Sequence, residues 1–358
     1  MIEAGQSIFI AGGGTGGHIY PAIAVAEALK KINPKLQIFF IGTRGGLEIK
    51  IVPKEGYPLH FIDIGALNNV GIGRKLMTFI RLPMAIIQSI RLLMQFQPRI
   101  VLGVGGYASG PVMLAAKLLG VRIVLFEPNA QPGLTNRWLA SLVEKAFVNF
   151  EVTRSTFSNA DVVGIPIRTG LFPKARQEHR RFRILVFGGS QGARGINTIV
   201  LDAVKRGGDW LDKVEIIHQI GNRDYHDMDV EYQKLGLENV QCFEFLYDMP
   251  ERYAWADLVV SRAGASTLAE LAACRKASVL IPFPDAADNH QQCNAEALVK
   301  ENAATMILQK EFTPEKFIQT VTGFMDQPEK LRESEENISK FFKSQSAEKI
   351  AHYLIAGV

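Results

Sequence analysis

Ser7-Ile-Phe-Ile-Ala-Gly-Gly-Gly-Thr-Gly-Gly-His18 reads as a buried strand, a glycine loop and the first turn of a helix. The theme returns as Arg183-Ile-Leu-Val-Phe-Gly-Gly-Ser-Gln-Gly-Ala-Arg-Gly195. In both, a short apolar run ends in glycines and gives way to helical spacing. An echo one domain-length apart implies two similar α/β halves facing each other. A turn of this kind, rich in N–H donors and lying at the positive end of a helix dipole, suits an anion.

Working outward, Gln37–Gly42, Arg99–Val104 and Val121–Phe126 read as further strands of the first half. Glu215–Gly221, Val240–Phe245 and Ala256–Ser261 do so in the second. Strands alternating with helices describe doubly wound parallel sheets, with ligand loops at the carboxyl ends of the strands. A chain of 358 residues is comfortable for two domains. Gly164-Ile-Pro-Ile-Arg168 reads as their connection, giving domains 1–165 and 166–342. The last helix, 343–358, is expected to pack back on the first domain.

Composition narrows the class. The chain is 47% hydrophobic and 21% charged, as ordinary soluble proteins are. Cys242, Cys274 and Cys293 form no C-x-x-C pair, so neither a disulfide framework nor a zinc site is expected and a reducing cytosol fits. No signal peptide and no membrane span are read, since the most apolar region, 76–98, is broken by Arg81 and Arg91. Residues 1–165 hold 16 basic and 9 acidic side chains, a net +7, while the remainder carries 24 and 27, a net −3. The two halves therefore face different partners. No acid stands between Asp63 and Glu127. Within that stretch Arg74, Lys75, Leu76, Phe79, Ile80 and Leu82 suggest an apolar, cationic surface for anionic lipid headgroups. Residues 84–96 read as an ordinary core helix with a basic rim.

Several side chains are candidates for chemistry. Gly12, Gly14 and Gly17 satisfy G-x-G-x-x-G, yet the next strand ends in Thr43-Arg44 with no acid for a dinucleotide ribose. His18 stands where a Walker loop needs Lys. What survives is a phosphate-friendly loop ending in an imidazole, whose roles as base, phosphate ligand or cap stay open. Gly105-Gly-Tyr-Ala-Ser-Gly-Pro111 is a second such loop, and Asn129 is either a substrate contact or the head of an Asx turn. Arg262-Ala-Gly-Ala-Ser-Thr-Leu-Ala-Glu270 runs from a strand into a helix; Glu270 could take two ribose hydroxyls, though Thr267-Leu-Ala-Glu270 also has the spacing of a capping box. Gln291, Gln292 and Asn294 offer neutral amides to sugar hydroxyls. No D-x-D-like acidic pair sits where it would hold a metal against an anion bound at these turns, so no obligatory protein-bound metal is expected.

Taken in order, Gly13–His18, Gly105–Pro111, Asn129 with Gly133–Asn136, Gly188–Arg194, Arg262–Ala265, Glu270 and His290-Gln-Gln resemble the MurG family, peptidoglycan glycosyltransferases of the inverting GT-B class. The resemblance covers nearly the whole chain. It implies two Rossmann-like domains across a cleft, and transfer of GlcNAc from UDP-GlcNAc to the C4 hydroxyl of MurNAc on an undecaprenyl pyrophosphate (lipid I to lipid II). It implies that Glu270 holds the ribose, that the backbone at Leu246 reads the uracil and that Phe245 covers it. Arg168, Ser190 and the turn of Ala265, Ser266, Thr267, Leu268 and Ala269 would take the diphosphate, and Gln291, Gln292 and Asn294 the GlcNAc. Gly13, Gly14, Gly105, Gly106, Tyr107 and Ser109 would cradle the acceptor pyrophosphate. Thr15, Gly16 and Gly17 would join them while also counting, with Asn129, among the donor contacts, and His18 would be the general base. The implied partners are UDP-GlcNAc, lipid I, an anionic membrane at its cytoplasmic face and cell-wall or division proteins, with no nucleic acid. A sugar-nucleotide 2-epimerase, a nicotinamide-dependent oxidoreductase and a membrane-associated scaffold are the alternatives.

Overall fold

The first strand explains the first core. Ile8, Phe9, Ile10 and Ala11 are all buried, because helices cover both faces of a parallel sheet and leave no polar side. The computed structural model describes residues 7–65, 72–167, 179–189 and 191–356, with side chains of 72–77 and 79 not described. Arg168 and Ser190 lie outside the described residues.

Seven parallel strands form the first sheet: β1 (Ser7–Gly12), β2 (Gln37–Gly42), β3 (Leu59–Phe61), β4 (Ile100–Gly105), β5 (Arg122–Glu127), β6 (Lys145–Val148) and β7 (Ala160–Val162), in the order β3-β2-β1-β4-β5-β6-β7. The second holds β8 (Phe182–Phe187), β9 (Val214–Gln219), β10 (Val240–Phe243), β11 (Leu258–Ser261), β12 (Ala277–Leu280) and β13 (Thr305–Met306), in the order β10-β9-β8-β11-β12-β13. Both are doubly wound. In the first, the order reverses between β1 and β4; in the second, between β8 and β11. Ligands bind doubly wound sheets at such switch points, beyond the carboxyl ends of the strands. The glycine loops after β1 and β4 flank one switch point, and the turns after β8 and β11 flank the other.

Phe9, Ile41, Val101 and Leu125 pack with Val112 and Met113 in the first core; Ile184, Val186, Val200, Leu258, Phe317 and Phe324 build the second. The chain divides into two units. One comprises Met1–Arg168, Ala287–His290 and Lys343–Val358; the other comprises Thr169–Ala286 and Gln291–Phe342. The helix Ser346–Ala356 lies against the helix Gly16–Ile32, with Ile350, Ala351 and Leu354 buried. Ser346 donates to the Val163 carbonyl (2.6 Å) and Tyr353 to Glu144 Oε1 (2.8 Å), which fastens this helix to the first unit.

Glycine is required where loops meet. Gly106 has φ +82°, and a Cβ there would strike the Gly13 carbonyl, so the loops after β1 and β4 touch backbone to backbone. Gly192, at φ +74°, meets the Ile220 carbonyl in the same way in the second unit. The echo in the sequence is thus an echo in packing.

Candidate functional site

At the second switch point, the helix Ala265–Ala273 begins at N-cap Gly264 with no side-chain cap. The capping-box reading fails, because the helix starts too early: Thr267 already lies inside its first turn. The first intrahelical bond runs from Leu268 N–H to the Gly264 carbonyl (3.1 Å), so the amides before it point outward, as at any helix start. Ser266 Oγ is buried and has no hydrogen-bond partner among the described residues. One turn on, Glu270 Oε2 accepts from the Tyr253 hydroxyl (2.8 Å). Tyr253 is fully buried, and that burial, then the Glu270 charge, pushes its hydroxyl well above the usual phenol range. A phenol held protonated can only donate to the carboxylate, which fixes its orientation.

Gln219 ties this region together. Its Nε2 donates to the Gly189 carbonyl and its Oε1 accepts from Leu246 N–H, each at 3.0 Å. The Leu246 amide is therefore committed within the protein, so of the backbone expected at the uracil edge the carbonyl is the part left for that role. Phe245 and Tyr247 are 40% and 90% exposed with ring centroids 4.7 Å apart, so an aromatic pair is offered to a flat ligand.

The amides divide. Gln291 Oε1 accepts from Phe283 N–H (3.0 Å) and Gln292 Nε2 donates to Glu296 (2.8 Å), and both side chains are partly exposed. Asn294 is corrected: it is fully buried and donates to the Ala263 carbonyl (3.2 Å), bracing the turn after β11 instead of meeting a sugar. Arg262 is also turned inward. It binds the Ile281 and Pro282 carbonyls and Gln309, and burial draws its pKa down to about 10.

In the first unit, two expected phosphate donors are already taken. Gly13 N–H donates to the Gly105 carbonyl (3.3 Å) and Gly14 N–H to Glu48 Oε2 (2.8 Å). Ser109 is fully buried with its hydroxyl on Met113 Sδ (3.3 Å), so it too is withdrawn. Thr15, Gly16 and Gly17 stand at the start of the helix Gly16–Ile32, where helix-start amides favour an anion, and Tyr107 stands 41% exposed on the facing loop.

His18 lies against Gly105, where a Cβ would sit 3.0 Å from its Nε2. Its Nδ1 is 3.2 Å from the Gly13 carbonyl, an acceptor, so Nδ1 carries the proton and Nε2 the lone pair. Burial lowers its pKa below the usual imidazole range, with the Gly13 bond opposing. A neutral imidazole with Nε2 unpartnered among the described residues is what a general base requires.

Asn129 sits in a loop organised by a carboxyl that pattern reading passed over. Glu127 is buried and accepts from Asn129 N–H (3.0 Å), Asn129 Nδ2 (3.1 Å), Gly133 N–H (3.0 Å) and Asn136 Nδ2 (2.8 Å). Burial pushes its pKa up and the four donors pull against that. Glu48, Gln219 and Tyr253 were likewise overlooked. The available signal was thin: Glu127 ends an acid-free stretch at a strand terminus, and Glu48 stands two residues after a glycine pair.

The helix Ile72–Phe96 changes one reading. Ile80 (65%), Met84 (53%), Ile87 (44%) and Met94 (64%) are exposed at steps of four, three and seven, along one face. Residues 84–96 are therefore more than a core helix, and the outward apolar row continues past Leu82, which is partly buried. The side chains of Arg74, Lys75, Leu76 and Phe79 lie outside the described residues. No helix among the described residues is long and apolar enough to cross a membrane, and no group of three His, Cys, Asp or Glu there could hold a metal.

Residues 8–148 match the glycosyltransferase family 28 N-terminal domain and 183–351 its C-terminal domain. The chain is 46% identical over 354 residues to the UDP-N-acetylglucosamine–N-acetylmuramyl-(pentapeptide) pyrophosphoryl-undecaprenol N-acetylglucosamine transferase of Bdellovibrio bacteriovorus, covering 98% of this chain and 99% of the relative. The Myxococcus xanthus enzyme of the same name is 44% identical over 97% of this chain and 91% of its own. The crystal structure of Acinetobacter baumannii MurG superposes with a TM-score of 0.83 at 31% identity, covering 98% of this chain and 99% of that one. With two doubly wound parallel sheets and relatives this similar along its whole length, the chain belongs to the MurG family of N-acetylglucosamine transferases and has the GT-B fold.

Proposed function

We propose that this chain transfers GlcNAc from UDP-GlcNAc to the C4 hydroxyl of MurNAc in undecaprenyl-pyrophosphoryl-MurNAc-pentapeptide, with inversion, in peptidoglycan synthesis. The observation that carries the reading is the second switch point. There an uncommitted helix start with an unpartnered Ser266 hydroxyl stands one turn from a Tyr253-braced Glu270. A diphosphate suits the helix start and ribose hydroxyls suit the carboxylate. Gln291 and Gln292 are then the amides for the sugar, and Phe245 the cover over the base.

The first unit takes the acceptor. Amides of Thr15, Gly16 and Gly17 meet its pyrophosphate, and His18 Nε2 removes the proton as the acceptor oxygen attacks the anomeric carbon. Helix-start amides, with Arg168, neutralise the departing UDP, so no obligatory protein-bound metal is needed. The outward row of Ile80, Met84, Ile87 and Met94, with exposed Arg81 and Arg91, rests on anionic lipid as a peripheral contact at the cytoplasmic face of the membrane, where the lipid-linked acceptor lies.

Incubation with UDP-GlcNAc and a lipid I analogue tests the reading, with release of UDP and a lipid-linked disaccharide as the expected products. Sugar isomerisation without acceptor, or no UDP release, would sink it. Enzyme stripped with a chelator should still bind UDP; loss of that binding would overturn the metal-free part.

A further inference from the structure

The Glu48 side chain is 1% exposed and sits in a cradle made for it. A Cβ on Gly13 would lie 2.5 Å from its carboxyl carbon and one on Gly42 2.7 Å from its Cγ, so the chain carries glycine where this side chain passes. One oxygen accepts from Gly14 N–H (2.8 Å); the other accepts from Thr43 N–H (3.0 Å) and Thr43 Oγ1 (3.1 Å). Among the described residues no Lys or Arg pairs with it. Glu48 thus joins the end of β2 to the loop after β1, where the backbone adds only a long bond from Leu47 N–H to the Gly14 carbonyl (3.5 Å). An acid placed inside the nest also occupies an amide that would otherwise greet the substrate.

We propose that Glu48 is a positioning residue for the transfer, holding the 12–17 loop so that His18 and the amides of Thr15, Gly16 and Gly17 face the acceptor. This rests on the reading of His18 as the base. The Gly13 carbonyl that orients the His18 ring is one residue from the Gly14 amide held by Glu48, so the carboxyl sets the imidazole's place through two bonds. The titratable groups facing His18 are Glu48, from the Glu48–Lys54 helix, and His290, from the 287–290 segment. Their charges act in opposite directions, with Glu48 favouring the imidazolium and His290 opposing it.

Glu48→Gln keeps the shape but presents NH₂ to one of two backbone donors. Its kcat should fall by on the order of 10²-fold, as when a reacting group is displaced by about an ångström. UDP affinity should remain within about twofold. With the Glu48 charge gone, the His18 imidazole titrates at lower pH, and the acid limb of kcat follows it down. Histidine-selective NMR titration, with His18→Gln for assignment, reads the first shift without any turnover. Glu48→Asp keeps the charge and loses the reach: kcat should fall with the imidazole titration near that of wild type. Wild-type kcat in Glu48→Gln, or in Glu48→Asp should the former not fold, overturns the proposal. So does a kcat loss with the His18 titration unmoved in Glu48→Gln. A moved His18 titration in a protein that shows no transfer would instead fault the proposed reaction while leaving the Glu48 coupling standing.

Discussion

Gly106→Ala separates the two units thermodynamically. At φ +82° the new Cβ costs about 1 kcal/mol for the left-handed backbone, offset by roughly 0.4–1 kcal/mol from a stiffer unfolded chain. Gly120→Ala is the control: φ is +72° and nothing lies within 4 Å, so it reports those two contributions alone. At Gly106 the methyl also runs into the Gly13 carbonyl, with Gly13 N at 3.0 Å and Gly13 C at 3.1 Å. Backbone must yield there, which adds about 1–3 kcal/mol. The difference between the variants, near 2 kcal/mol, corresponds to about 4–8 °C for a unit of this size. Scanning calorimetry reads it. UDP at about 100 times its Kd raises the transition of the unit that holds it by about 2.7 kcal/mol, which labels the second unit. Gly106→Ala should lower the other transition and cut transfer at least about tenfold, with UDP affinity kept. Equal effects of the two variants, or a drop confined to the UDP-responsive transition, would refute the reasoning.

His18→Ala should reduce kcat by about 10²–10⁴-fold with UDP-GlcNAc affinity nearly kept; parallel losses in both argue for a binding role. Because burial lowers the His18 pKa, the base stays neutral as pH falls through the ordinary imidazole range, so the acid limb of kcat should lie below pH 6.5. Tyr253→Phe removes the donor to Glu270 and should weaken UDP binding about tenfold in calorimetric titration; unchanged affinity would detach Glu270 from the ribose. His218 is buried between Tyr232 and Asn197, which holds its pKa down to about 3 against 6.5 in the unfolded chain. Its contribution is full above pH 6.5 and declines by about 1.4 kcal/mol per pH unit between 6.5 and 3. Urea midpoints in that window should fall less steeply in His218→Gln. Replacing Met84 and Ile87 by Gln should weaken binding to anionic vesicles about tenfold, read by flotation, and equal binding of both proteins would remove the lipid contact.

Strand-and-glycine periodicity made both doubly wound halves legible. β1, β2, β8 and β11 are short apolar runs that end in turn residues, and local pattern alone identifies such runs. β3, β7 and β13 are two or three residues long and carry no pattern to find. They exist because a neighbouring strand offers a ladder.

The order of residues marked where anion-binding turns are expected: after β1, after β8 and at the start of the helix Ala265–Ala273, since N–H donors at a glycine turn are a local property. Only tertiary structure decided which donors are still on offer. Gly14 is claimed by Glu48, 34 residues away, and Leu246 by Gln219, 27 away, while Asn294 is sunk beneath Ala263. A hydrogen bond between residues far apart in the chain leaves no spacing to read, because it is set by which strands lie side by side.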